Sequence, residues 1–115
     1  MAATITREEL KQKIDAMEDF VLIDVLLPES YQREHLPDAV NIPLYKIDEE
    51  TTTHLPRDKE IVVYCGSFEC TASPAAARRL EELGFTNVID YEGGLADWRE
   101  AGYPVERGAA RLSGV

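Results

Sequence analysis

Ile61-Val62-Val63-Tyr64-Cys65, the segment Gly66-Ser67-Phe68-Glu69-Cys70-Thr71 and the run from Ser73 to Gly84 together decide the fold of this chain. Four consecutive β-branched or aromatic residues predict a short strand buried on both faces, the kind found in parallel sheets. Cys65 stands at its carboxyl end. The next six residues have loop character. Ser73-Pro74 then reads as a helix N-cap followed by proline at the first helical position. Ala75 to Leu83 is predicted as a helix, and Gly84 stops it. A strand, a cysteine, a short loop and a helix N-terminus thus follow one another within 24 residues.

Outward from this unit the same alternation repeats. Downstream, Asn87-Val88-Ile89 begins another buried strand, and Glu92-Gly93-Gly94 is a turn with positive φ rather than a phosphate loop, because the glycine spacing is wrong. Leu95 to Ala101 is a short helix with Trp98 as its core anchor, ended by Gly102. Upstream, Thr6-Arg7-Glu8-Glu9 is a capping box, and Leu10, Ile14 and Met17 give the helix after it one apolar stripe. Phe20 to Val25 is an apolar strand interrupted by Asp24. Pro28 opens a short helix through Tyr31 and Arg33, Ala39 to Ile42 is a short strand, and Pro43 to Thr53 holds a short helix plus loop. Strands alternating with helices predict an α/β domain with a mostly parallel sheet, in which ligands bind beyond the carboxyl ends of the strands. The domain is expected over residues 1–105, with residues 106–115 as a flexible tail because Gly108 and Gly114 argue against a regular element.

The chain has 115 residues and a formal net charge of -10, with 44% hydrophobic and 30% charged residues. That fits one domain with a core of its own. So acidic a chain is repelled by nucleic acid and by anionic membrane surfaces, so neither is expected as a partner. No apolar run has a membrane-spanning length or the character of a signal peptide, and two cysteines do not make a secreted disulfide scaffold, so a cytoplasmic location is expected.

Cys65 is the candidate nucleophile. Loop amides can converge on an atom bonded to its sulfur, and the following helix N-terminus adds partial positive charge. Such surroundings pull a cysteine pKa from about 8.5 towards about 4–7 and supply the thiolate that attacks sulfur. The competing reading is a small apolar filler at the end of a buried strand.

Val63-Tyr64-Cys65 with Ala75 to Phe85 resembles the active-site segment of rhodanese-like domains. Asn87 to Trp98 with Ala101-Gly102-Tyr103-Pro104-Val105 resembles the C-terminal signature of that family, and Leu22 to Val25 and His35 to Pro43 resemble its two N-terminal motifs. The resemblance covers about residues 5–105. It implies a mostly parallel central sheet flanked by helices on both faces, and a cysteine that takes sulfane sulfur from a donor and passes it to a nucleophilic acceptor such as a thiol or cyanide. It implies no metal and no organic cofactor. By position, Cys65 is the persulfide-bearing residue, and Gly66, Ser67, Phe68, Glu69, Cys70 and Thr71 form the loop around the sulfur. Three departures stand out. Leu26 replaces a family arginine, which leaves open whether Arg33 takes its place. The loop is longer than usual. It also carries Glu69 and no Arg or Lys, so thiosulfate is a doubtful donor, and sulfide-derived persulfides or a persulfidated protein fit better.

Cys70 lies across the loop and is a candidate resolving cysteine that would attack a Cys65 persulfide, release sulfide and leave a disulfide. This makes a persulfide reductase the first alternative, and a non-catalytic protein-binding module of the same family the second. Phosphatase or arsenate-reductase chemistry lacks its arginine, since none follows Cys65 before Arg78. A zinc site from Cys65, Cys70, His35 and His54 lacks knuckle spacing; His35 is expected to make structural hydrogen bonds and His54 to lie on the surface. Asp24 is a structural tie for loop amides or a positioning group behind the loop. Phe68 is expected to be exposed beside the sulfur, and Tyr64 and Tyr91 to pack at core or rim.

Overall fold

A computed structural model describes residues 2–108. Five strands form one all-parallel sheet in the order β1-β5-β4-β2-β3, with β1 Ala3–Thr4, β2 Val21–Asp24, β3 Val40–Asn41, β4 Ile61–Tyr64 and β5 Val88–Tyr91. The helices are α1 Arg7–Asp15, α2 Pro28–Arg33, α3 Ala72–Glu82 and α4 Gly94–Glu100, with one 3-10 turn at Leu44–Lys46 in the polar stretch after Pro43. The central strand β4 is buried along its whole length, as its unbroken β-branched run requires.

Alternation along the strands divides the core in two. Ile23, Val25, Ile61, Val63 and Cys65 face α3 and its Ala76, Ala77 and Leu80. Leu22, Val62, Tyr64 and Tyr91 face the opposite side, against Leu10 of α1, Tyr31 of α2 and Trp98 of α4. Helices therefore cover both faces. Trp98 anchors α4 through an indole N–H donated to the Pro104 carbonyl at 2.8 Å and through edge contacts with Tyr91 and Tyr103. The Thr6–Glu9 capping box closes as the residue pattern predicts.

Four local expectations are corrected. Thr71, not Ser73, precedes the first turn of α3, so Ser73 and Pro74 sit inside that turn. Proline costs nothing there, because the first N–H groups of a helix have no partner within it. Freed from capping, Ser73 turns inward and is buried. Met17 does not continue the α1 stripe: the helix ends at Asp15, and Met17, with φ of 54°, is exposed. The edge strand β1 escapes sequence reading because its two residues are short and exposed and gain strand character only by pairing with Ile89 and Asp90. The strand starting near Asn87 begins at Val88 and extends through Asp90 to Tyr91.

Of residues 106–115, the segment 109–115 lies outside the described residues. Glu106 exchanges two backbone hydrogen bonds with His35, at 2.9 and 2.8 Å, and the Gly108 N–H donates to the Gln32 carbonyl at 2.9 Å.

Candidate active site

β4 delivers Cys65 to the carboxyl edge of the sheet with its side chain turned towards α3. The main chain there is braced by α4: the N–H groups of Leu95 and Ala96 donate to the carbonyls of Cys65 and Gly66, both at 2.9 Å. Gly94 makes this approach possible. Its φ is +64°, and a Cβ at that position would lie 2.4 Å from the Cys65 carbonyl oxygen.

From Cys65 the loop turns back through a hydrogen bond from the Cys70 N–H to the Ser67 carbonyl at 3.1 Å. Gly66, Ser67 and Cys70 are half-buried, while Phe68, Glu69 and Thr71 are exposed. The turn brings the two thiols together, and both are free. The Cys65 side chain is fully buried. Burial pushes its thiol pKa up, the hydrogen bond it shares with Cys70 adds to the rise, and the Ser73 hydroxyl and N–H only partly offset it. For Cys70, burial also acts upwards, but the Cys65 thiol and the N–H groups of Gly66, Ala72 and Ser73 outweigh it, so its pKa falls. The expectation that loop and helix would acidify Cys65 is thereby reversed: the converging amides find Cys70, because Cys65 is sunk beneath the loop.

Two further polar groups lie under α3 that sequence reading did not select. Ser73 and Asp90 are buried, and neither Ser73 Oγ nor Asp90 Oδ1 has a hydrogen bond of ordinary length. Ser73 nonetheless lies close enough to favour the charged forms of both Cys65 and Asp90. Burial is the larger influence on Asp90 and raises its carboxyl pKa. The available signal was a carboxylate breaking an apolar strand, Val88-Ile89-Asp90-Tyr91, the pattern that singled out Asp24.

Asp24 lies on the other face of the sheet, where its Oδ1 accepts the Leu26 N–H and its Oδ2 accepts the Tyr64 hydroxyl, each at 2.9 Å. Tyr64 in turn accepts the Leu36 N–H at 3.0 Å. Burial raises the Asp24 pKa against these hydrogen bonds, and the Tyr64 hydroxyl is pushed well above its ordinary value by burial and by the adjacent Asp24. Asp24 is thus a tie between strand ends that holds the residue immediately before Cys65.

Phe68 is exposed and lines a groove of about 430 Å³ with Arg7, Glu8, Glu9, Glu92 and Asp97. Arg7 is occupied by Glu8, Asp97 and Glu100. Arg33 lines a different hollow with Leu26, Leu95, Arg99 and Arg107, and no residue of the 65–71 loop lines it. The Arg33 guanidinium donates to the Ser30 hydroxyl at 3.2 Å. His35 is buried, stacked on Tyr31 and bonded through Nδ1 to the Tyr31 carbonyl at 2.7 Å, while His54 is exposed. The four residues considered for zinc are not brought together, and among the described residues no three His, Cys, Asp or Glu side chains cluster as metal ligands would.

The fold and the cysteine loop define a parallel α/β domain with a dithiol at the carboxyl edge of its central strand. The family model for the rhodanese-like domain matches residues 6–101, so the chain belongs to the rhodanese-like family. It is 38% identical over 105 residues to the HTH-type transcriptional regulator Rv0324 of Mycobacterium tuberculosis, covering 91% of this chain and 45% of that protein. It is 42% identical over 76 residues to the thiosulfate sulfurtransferase PspE of Escherichia coli, covering 65% of this chain and 70% of the relative. The crystal structure of the BH2092 protein from Bacillus halodurans superposes with a TM-score of 0.88 at 33% identity, over 92% of this chain and 77% of that one. The chain spans about half the length of the first curated relatives it matches. Relatives named as sulfurtransferases and as a putative sulfur carrier support sulfur transfer as the role of the family.

Proposed function

We propose that this chain is a sulfurtransferase or sulfane-sulfur carrier that forms a persulfide on Cys65 and passes the outer sulfur to a nucleophilic acceptor, a thiol or cyanide-like group. The observation that carries this reading is the position of Cys65, which ends the central strand and faces the first turn of α3, with Ser73 and Cys70 beside its sulfur. The Ser73 hydroxyl and N–H beside Cys65 favour an anionic sulfur there.

The surroundings favour a donor that is not a dianion. The loop has no Arg or Lys, Glu69 is exposed, and the groove beside Phe68 sets four carboxylates against one arginine already paired. A low-molecular-weight persulfide or a persulfidated protein meets less repulsion there than thiosulfate does. The name of PspE makes thiosulfate the donor to compare. A cytoplasmic site of action would keep both thiols reduced and available for sulfur transfer.

The test is intact mass after incubation with each donor, before and after cyanide. A sulfur adduct removed by cyanide and absent in Cys65→Ser supports the reading. No adduct with any donor leaves the non-catalytic protein-binding module. A strong preference for thiosulfate overturns the donor assignment alone. The contact between the thiols supports a second reading, a persulfide reductase in which Cys70 attacks the Cys65 persulfide at Cys65 Sγ. Sulfide leaves, a disulfide forms, and a thiol reductant must restore it. Stoichiometric sulfide release with loss of both thiols would identify that route.

A further inference from the structure

We propose that sulfur enters this site on Cys70, the half-exposed thiol that the loop amides surround, and is then handed inward to the buried Cys65. This rests on the sulfurtransferase reading above and adds to it an entry residue and a direction of flow.

The geometry separates the two sulfurs by access. Cys65 is fully buried, so a bulky persulfide donor cannot bring its outer sulfur to it without displacing the loop, whereas Cys70 is partly exposed at the turn. The N–H groups of Gly66, Ala72 and Ser73 and the Cys65 thiol lie near enough to the Cys70 sulfur to favour its anionic form. Cys70 therefore gives up its proton more readily than an ordinary thiol, and Cys65 less readily. Ser73 adds an independent sign: its buried hydroxyl has no partner of ordinary length and lies beside the Cys65 thiol, placed to donate once Cys65 loses its proton. The shifts agree with this flow. The less basic thiol is the better leaving group and the more basic one the stronger nucleophile, so an outer sulfur moves from Cys70 to Cys65.

The steps balance without an oxidant. The Cys70 thiolate attacks the outer sulfur of a donor R–S–SH. A Cys70 S–S bond forms, the S–S bond of the donor breaks, and R–S⁻ leaves. The Cys65 proton passes to R–S⁻ to give R–SH. The Cys65 thiolate then attacks the outer sulfur of Cys70–S–SH; the Cys65 S–S bond forms and Cys70 departs as thiolate. The net change is R–S–SH plus Cys65–SH going to R–SH plus Cys65–S–SH.

Full-length wild-type protein, Cys65→Ser and Cys70→Ser would each be mixed with limiting cysteine persulfide at pH 7, quenched at intervals and mapped by peptide mass. Entry at Cys70 predicts that Cys65→Ser still acquires one sulfur, on Cys70. It predicts that Cys70→Ser loads Cys65 at least about tenfold more slowly than wild type, with the gap narrowing as the pH is raised and more Cys65 thiolate forms. Brief iodoacetamide treatment of the wild type, which needs no variant to fold, should alkylate Cys70 before Cys65. Loading of Cys65 at the wild-type rate in Cys70→Ser, alkylation of Cys65 first, or a Cys65→Ser protein that takes no sulfur while wild type does would each overturn the proposal and leave the sulfurtransferase reading standing. A wild type that takes no sulfur on either thiol overturns both.

Discussion

Asp24 and Asp90 both break apolar strands, and the structure treats them differently. Each has a pKa raised first by burial, but Asp24 spends its oxygens on Leu26 and Tyr64, whereas Asp90 Oδ1 has no partner. A raised carboxyl pKa means that the folded protein holds the proton more tightly than the unfolded chain. The stability this contributes is complete below the ordinary value of 3.8 and is lost as the pH rises through the folded value. Above its folded pKa the ionised Asp90 loses this contribution. Asp90→Asn removes the ionisable group and is therefore expected to be more stabilising at pH 7 than below pH 3.8, by roughly 1 kcal/mol for a buried polar atom without a hydrogen bond. Urea unfolding at the two pH values checks this, and an equal effect at both would remove ionisation as the cause.

Among the elements, the N-terminus of α4 is the piece that fixes the cysteine backbone. Gly94 and Gly102 both adopt positive φ, +64° and +77°, but only Gly94 has backbone within 4 Å of where a Cβ would stand. An alanine at either position carries left-handed strain of about 1 kcal/mol or somewhat more. At Gly94 it also collides with the Cys65 carbonyl and cannot be relieved by a side-chain rotation. Gly102→Ala should cost about 1 kcal/mol, and Gly94→Ala about 3 kcal/mol or more, together with slower sulfur loading because Cys65 moves. Thermal unfolding of the pair, with loading rates on whatever folds, measures the difference. Equal losses would show that the close approach contributes nothing.

At the scale of the whole molecule, the chain after α4 returns to the face of the sheet opposite α3 and closes on α2 and His35. The two backbone bonds between His35 and Glu106 and the one from Gly108 to Gln32 tie residues more than 70 positions apart. Ending the chain at Val105 removes all three and leaves the buried His35 backbone without partners. That truncation is expected to destabilise the domain by about 1–3 kcal/mol. Equilibrium unfolding of the two lengths tests this, and coincident curves would mean that water replaces Glu106 without loss.

Much of this architecture was legible in the residues themselves. The alternation of apolar runs with helical stripes, the Thr6–Glu9 box and Gly84 specify parallel strands and crossover helices through local sterics and periodicity, and Cys65 falls at a strand end whatever surrounds it. Other features depend on which distant backbones meet. The pairing of β1, the inward turn of Ser73, the burial of Asp90 Oδ1 and the closure of Glu106 on His35 have no local signature. The same is true of which thiol receives the amides. Spacing puts two cysteines on one loop, but burial is a property of the assembled core and hydrogen-bond direction of the closed loop. Only the tertiary structure therefore made Cys65 the fully buried sulfur and Cys70 the half-buried one whose pKa is lowered.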